Sequence, residues 1–124
     1  MDIIKCLEWR YATKKFDPSK ILSGEKLNIL KQAFNLTATS FGLQTLKMLV
    51  IQEKSLREKL QKAAFGQAQV VQASHLLVIC IEEHIVDDHV DAHFNNIINI
   101  RRTSETILEP YKEDLKAKMR MMTK

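Results

Sequence analysis

Two uninterrupted apolar runs constrain this chain more than any other feature. Leu46–Ile51 is aliphatic and β-branched with a single charge at Lys47, and Leu76–Ile81 carries no charge. Short runs of this kind read as strands. A strand that is apolar at successive positions, rather than at alternate ones, is suited to cover on both faces. No third run of the same kind occurs. A two-stranded sheet is marginal in water, so the pattern predicts further strands, supplied by a partner chain or by a C-terminal half beyond these 124 residues.

The remainder reads as helix. Asp2 is placed to cap a first helix with Ile3, Ile4, Leu7 and Tyr11 on one stripe, and Asp17-Pro18-Ser19 turns the chain after it. Ser23 is the expected cap of a second helix, with Glu25 in its first turn and Leu27, Leu30, Ala33 and Phe34 as its apolar stripe. Residues 37–42 end that helix in a loop of small and polar residues. Ser55 is read as the cap of a third helix carrying Leu56, Leu60, Ala63 and Ala64. From about residue 86, Val90, Phe94, Ile97 and Ile98 recur at helical spacing. Pro110 either kinks that helix or opens the next, whose stripe is Tyr111, Leu115, Met119 and Met122. The expectation is one α+β domain over residues 1–124, with helices around a mixed sheet that this chain leaves incomplete.

Charge and composition remove several classes. The formal net charge is +4, yet basic residues alternate with acids, as where Glu58 interrupts residues 54–62, so no phosphate-tracking stripe forms. Aromatics are only 6%, with neither a stacking strand nor zinc-finger spacing, which argues against nucleic acid; a binder of one anionic small molecule fits the basic balance equally well. No apolar run approaches the roughly 20 residues that span a bilayer. Cys6 and Cys80 lie far apart and form no disulfide framework, so a reduced, cytoplasmic protein is expected.

Three constellations could carry chemistry. Arg10, Lys14 and Lys15 cluster at the end of the first helix, where they suit a phosphate or simply complement the helix dipole. Thr39-Ser40-Phe41-Gly42-Leu43-Gln44 offers hydroxyls, an amide and a glycine that permits close approach, as a ligand cradle or an ordinary connector. His89 and His93 would share a helix face near Glu82, Glu83, His84, Asp87, Asp88 and Asp91, but a solvated acidic face explains them better than a metal. No nucleophile, triad or metal motif emerges. Cys6 and the methionines near the C-terminus read as packing residues.

Taken in order, Met1-Asp2-Ile3-Ile4, Arg10-Tyr11-Ala12-Thr13-Lys14-Lys15-Phe16-Asp17, Ser40-Phe41-Gly42-Leu43-Gln44, Gln67 to Gln69 and Ala73-Ser74-His75-Leu76 resemble the N-terminal part of the FMN-dependent nitroreductase family. The resemblance implies a homodimeric flavoprotein that uses NAD(P)H to reduce nitroaromatic or quinone-like acceptors through flavin N5, with the flavin at the dimer interface. It implies that Arg10 pairs with the FMN phosphate, that Tyr11 and Ala12 line the phosphate and ribityl chain, and that Lys14 approaches the pyrimidine edge. A cation there stabilises the negative charge that reduction brings, so no catalytic acid, base or nucleophile is required. Ser40, Gly42 and Gln44 would cover the flavin from the other subunit, and Gln67 and Gln69 would hydrogen-bond its uracil-like edge. Gly66 stands where the family often has asparagine. Family domains run to roughly 200 residues or more, so a truncated form is implied. The alternative is a non-catalytic dimerising remnant, or interaction module, without bound flavin.

Overall fold

The computed structural model describes residues 2–122. In chain order the elements are α1 (Ile3–Trp9), α2 (Gly24–Leu36), a 3-10 turn (Ser40–Gly42), β1 (Leu46–Ile51), α3 (Lys54–Ala63), α4 (Gln69–Gln72), β2 (Leu76–Ile81), α5 (Asp87–Arg101) and α6 (Glu105–Met122). Both strands fall where the apolar runs place them, and they pair in one antiparallel ladder. The Glu82 N–H extends it by donating to the Thr45 carbonyl at 3.1 Å. Lys47 and Glu82 form an ion pair beside that bond at 2.9 Å.

The strands depart from expectation in their burial. No residue of either one is fully buried, and Leu49, Ile79 and Ile81 are exposed. The apolar pattern asks for layers on both faces, and the described residues do not supply them. Among those residues, no helix is long and apolar enough to cross a membrane.

The chain divides into two compact units, one of residues 1–30 and 49–78, the other of residues 31–48 and 79–124. The second unit holds the core. Val90 and Leu115 are 0% exposed, Phe94 is 1% and Met119 4%, with Leu43, Ile85 and Leu108 packed against them. These side chains lie on the stripes that helical spacing predicts for α5 and α6, and each large one contributes about 1.5–3 kcal/mol by leaving water. Phe94 meets Tyr111 edge-on at 5.6 Å. Asp91 of α5 binds Lys116 of α6 at 2.8 Å and Lys112 at 3.3 Å, and Asp87 pairs with Arg120. The Lys116 and Arg120 bonds hold these two carboxyls below their usual pKa. Arg102 closes α5 in the left-handed region at φ 57°. Pro110 neither opens nor ends a helix; it lies inside α6.

The first unit buries far less. Val70 and Arg57 alone are buried there among the described residues. Its helix starts are well made. Asp2 Oδ1 accepts from the Ile4 and Lys5 N–H groups at 3.1 and 3.4 Å, and Ser23 Oγ accepts from Lys26 N–H at 3.3 Å. Ser55 is not the cap of α3. Glu53 is, its carboxylate accepting from the Ser55 N–H at 3.1 Å, because the backbone at Glu53 is still extended while Ser55 is already helical. Helix α1 leaves Ile3, Ile4 and Leu7 exposed, and its last residue, Trp9, is 86% exposed.

Candidate functional site

The first helix ends at Trp9, with Arg10 as its C-cap and the other cations of residues 10–15 beyond it. Arg10 is extended at φ −58° and ψ 139°, and the chain beyond it runs as an arm without regular structure. Arg10, Tyr11, Ala12 and Lys14 are all exposed on this arm. Arg10 and Lys14 make no ion pair among the described residues, whereas Lys5 and Lys20, on either side of them, each pair with an aspartate. Two hydrogen bonds stitch this part of the chain to the end of α4 and the residues after it. The Phe16 N–H donates to Gln72 Oε1 at 3.4 Å, and the Leu22 N–H to Ser74 Oγ at 3.2 Å. Ser74 Oγ also lies 3.0 Å from His75 Nδ1.

Gln67 and Gln69 belong to the same unit as the arm, just before α4 and at its first residue. Gly66 precedes them at φ 72°, in the region that glycine and asparagine tolerate and other residues resist. The segment is held by a residue that sequence reasoning passed over. Arg57 of α3 is 7% exposed, and its guanidinium donates to the carbonyls of Val71 at 3.0 Å, Val70 at 3.4 Å and Ala73. It gathers the carbonyls that α4 leaves unpaired at its end. Its Nε is buried without a partner. Nothing in the sequence marks it, because residues 54–62 have the charge density of a solvated face.

Ser40, Gly42 and Gln44 lie in the second unit, on the turn between α2 and β1, and all three are exposed. Gln44 Nε2 donates to the Asn35 carbonyl at 3.1 Å, and its backbone N–H to Thr39 Oγ1 at 3.0 Å. Gly42 abuts His93, and the two histidines of α5 make separate contacts. His89 Nδ1 accepts from the Val86 N–H at 3.1 Å, His93 packs against the turn, and no group of three or more metal-ligating side chains occurs among the described residues.

None of the nine residues predicted for the site lines the main cleft of the first unit. That cleft, of about 790 Å³, lies in the first unit and is bordered by Lys15, Phe16, Lys20, Lys26, Ser74 and His75. The predicted site is open surface in two parts. One part, in the first unit, comprises two cations that make no ion pair among the described residues and a segment bearing two glutamines; the other is a glycine turn with a hydroxyl and an amide.

A mixed α+β chain with this arm and turn has clear relatives. The profile of the nitroreductase family matches residues 7–120, and the chain belongs to that family. It is 33% identical over 107 residues to a Staphylococcus epidermidis protein named provisionally as an NAD(P)H nitroreductase, a match that covers 86% of this chain and 48% of the relative. The crystal structure of a Bacillus subtilis protein described provisionally as a nitroreductase superposes with a TM-score of 0.83 at 18% identity, over 97% of this chain and 57% of that one. A second crystal structure from Staphylococcus epidermidis, described provisionally as an NAD(P)H:FMN oxidoreductase, gives 0.69 at 19% identity, over 98% of this chain and 61% of its own. The chain thus spans about half the length of the curated relative it matches, and the fold is that of the solved structures.

Proposed function

We propose that this chain is the N-terminal part of an FMN-dependent NAD(P)H oxidoreductase that acts on nitroaromatic or quinone-like acceptors in the cytoplasm, as a homodimer. The observation that carries this reading is the pair of unpartnered cations, Arg10 and Lys14, on an exposed arm within a chain of nitroreductase ancestry. Exposed cations without carboxylates are the donor set that a phosphate and an electron-rich ring edge need. The residues present therefore fit the group.

Arg10 would hold the FMN phosphate, its planar fork matching two phosphate oxygens. Tyr11 and Ala12 would line the phosphate and ribityl chain. Lys14 would place its charge against the pyrimidine edge, where negative charge grows on reduction. Gln67 and Gln69 would supply amide donors and acceptors to the same edge, and the partner's copies of Ser40, Gly42 and Gln44 would close the site against water. When bound, FMN supplies the two-electron chemistry, accepting hydride from NAD(P)H and delivering it to the acceptor. The open apolar face of α1, with Ile3, Ile4 and Leu7, supports a dimer because contiguous exposed apolar surface marks an interface.

The test is a visible spectrum of the purified chain through a sizing column, with and without excess FMN. Flavin absorbance comigrating with protein at dimer size supports the reading. Arg10→Ala should then weaken FMN binding by about 1.5–3 kcal/mol, roughly 10- to 100-fold, because a charge-assisted contact to phosphate is lost. A folded helical dimer that never carries flavin would instead fit the remnant reading.

A further inference from the structure

The turn at residues 39–44 is held on several sides within its own unit. The Gly42 N–H donates to the Thr39 carbonyl at 3.0 Å, Thr39 Oγ1 accepts from the Gln44 N–H, and Leu43 packs against the Val90 and Phe94 cluster. Phe41, Gly42 and Gln44 nevertheless take left-handed conformations at φ 56°, 72° and 49°, and two of the three are not glycine. Each non-glycine residue there costs on the order of 1 kcal/mol, and such strain persists only where the surroundings over-determine it. The remaining constraint comes from α5. A methyl group on Gly42 would lie 2.9 Å from His93 Cε1 and 3.4 Å from Nε2, so anything larger than glycine requires the imidazole to move.

We propose that His93 is a positioning residue for this turn: its ring, set against Gly42, fixes the left-handed backbone at Phe41 and Gly42 and so the presentation of Ser40 and Gln44. The functional weight of this inference rests on the reading of the turn as flavin cover. The ring is half-buried and meets Phe94 edge-on at 5.5 Å. Burial first, and the charge of Arg101 second, hold its pKa below the ordinary imidazole value. The other titratable groups bordering the cleft of about 370 Å³ between turn and helix are Lys47, Glu82 and His89. Glu82 is already engaged by Lys47 at 2.9 Å, so it offers an imidazolium little support. A proton on His93 therefore draws the ring toward water and away from Gly42. The direction follows from linkage: an imidazole that resists protonation when folded contributes nothing unfavourable well above about pH 6.5, and progressively destabilises its setting as pH falls below that.

The experiment is an NMR titration of the isotope-labelled chain from pH 8 to pH 5, following the histidine rings and the backbone amides of the turn. The Gly42 and Gln44 amides should move with the His93 ring, at one midpoint below about 6.5. The conservative, non-titrating variant His93→Gln should flatten both curves while α5 stays folded. Gly42→Ala should shift the His93 ring resonances, and His93→Ala should recover part of what Gly42→Ala loses in turn order. Turn amides that ignore pH, or that follow His89 and still titrate in His93→Gln, would overturn the proposal. With FMN added, the dissociation constant should rise more steeply from pH 7.5 to 5.5 in the wild type than in His93→Gln, which keeps only the share due to protonation of the FMN phosphate itself. Equal pH dependence in the two would likewise overturn it. If FMN binds at no pH, the flavin reading fails, and the amide titration still decides the role of His93.

Discussion

The two units of this chain differ in what they can do unaided. Residues 31–48 and 79–124 enclose Val90, Phe94, Leu115 and Met119 almost completely and lock α5 to α6 with ion pairs. Residues 1–30 and 49–78 enclose only Val70 and the stem and head of Arg57, and they turn Ile3, Leu7 and Tyr11 outward. Both units carry well-formed helices, and both carry residues of the proposed site. Secondary structure is therefore not what separates them. Stability from hydrophobic burial is concentrated in one unit, while the other has its hydrogen bonds in place and its apolar surface unused. The contrast teaches that the arm with Arg10 and Lys14 is held by hydrogen bonds with little burial behind them, whereas the turn with Gly42 stands against a packed core.

The sharpest way to break that comparison is a matched pair of truncations. Phe94→Ala should cost about 3–5 kcal/mol, read as a shift in the urea midpoint of far-ultraviolet circular dichroism, because it empties a site with no exposure. Leu7→Ala, on the open face of α1, should stay within roughly 0.5 kcal/mol in the isolated chain. Equal effects would end the distinction. A smaller loss is expected from Arg57→Met, about 2–3 kcal/mol, since the stem is kept while the α4 carbonyls lose their donor. Hydrogen exchange should show that loss confined to α4 and the residues after it. Faster exchange in α5 would mean that the units share their stability.

The smallest effect concerns charge. Asp91→Asn should lower the urea midpoint only slightly, because the ion pairs with Lys116 and Lys112 lie near the surface and are screened. Their pH signature has a definite sign. The carboxyls of Asp87 and Asp91 are held below their usual pKa when folded, so the stability they contribute is complete above about pH 4–5 and disappears as pH falls through the lowered values. Urea midpoints between pH 6 and pH 3 should follow that fall in the wild type and flatten in part in Asp91→Asn.

Much of the fold was legible from spacing. Both strands, the Asp2 and Ser23 caps and the stripes of α5 and α6 follow from local rules acting over one turn or one pleat. The cap of α3 escaped because serine is ordinarily the better N-cap, and the choice of Glu53 is set by where the extended chain leaving β1 becomes helical. Arg57 escaped for a similar reason. Its partners are carbonyls of residues 70–73, and no pattern around residue 57 registers a contact so distant in sequence. The strands read as covered, and they are open because periodicity reports the surface a strand requires, whatever chain provides it. At the site, spacing left every role undecided between chemistry and packing. The ordered motif resemblance selected the family, and the contact between Gly42 and His93 needed the structure.

Trp9, the single tryptophan of the chain, ends α1 next to Arg10 and stands almost wholly in solvent. The molecule therefore carries its own optical gauge of the less complete unit. Its fluorescence should begin at the red wavelengths of a hydrated indole and move to the blue when any surface closes over α1. A yellow, fluorescence-accepting ligand at Arg10 would darken the same signal by energy transfer instead, so one cuvette can tell assembly from cofactor uptake by colour against intensity.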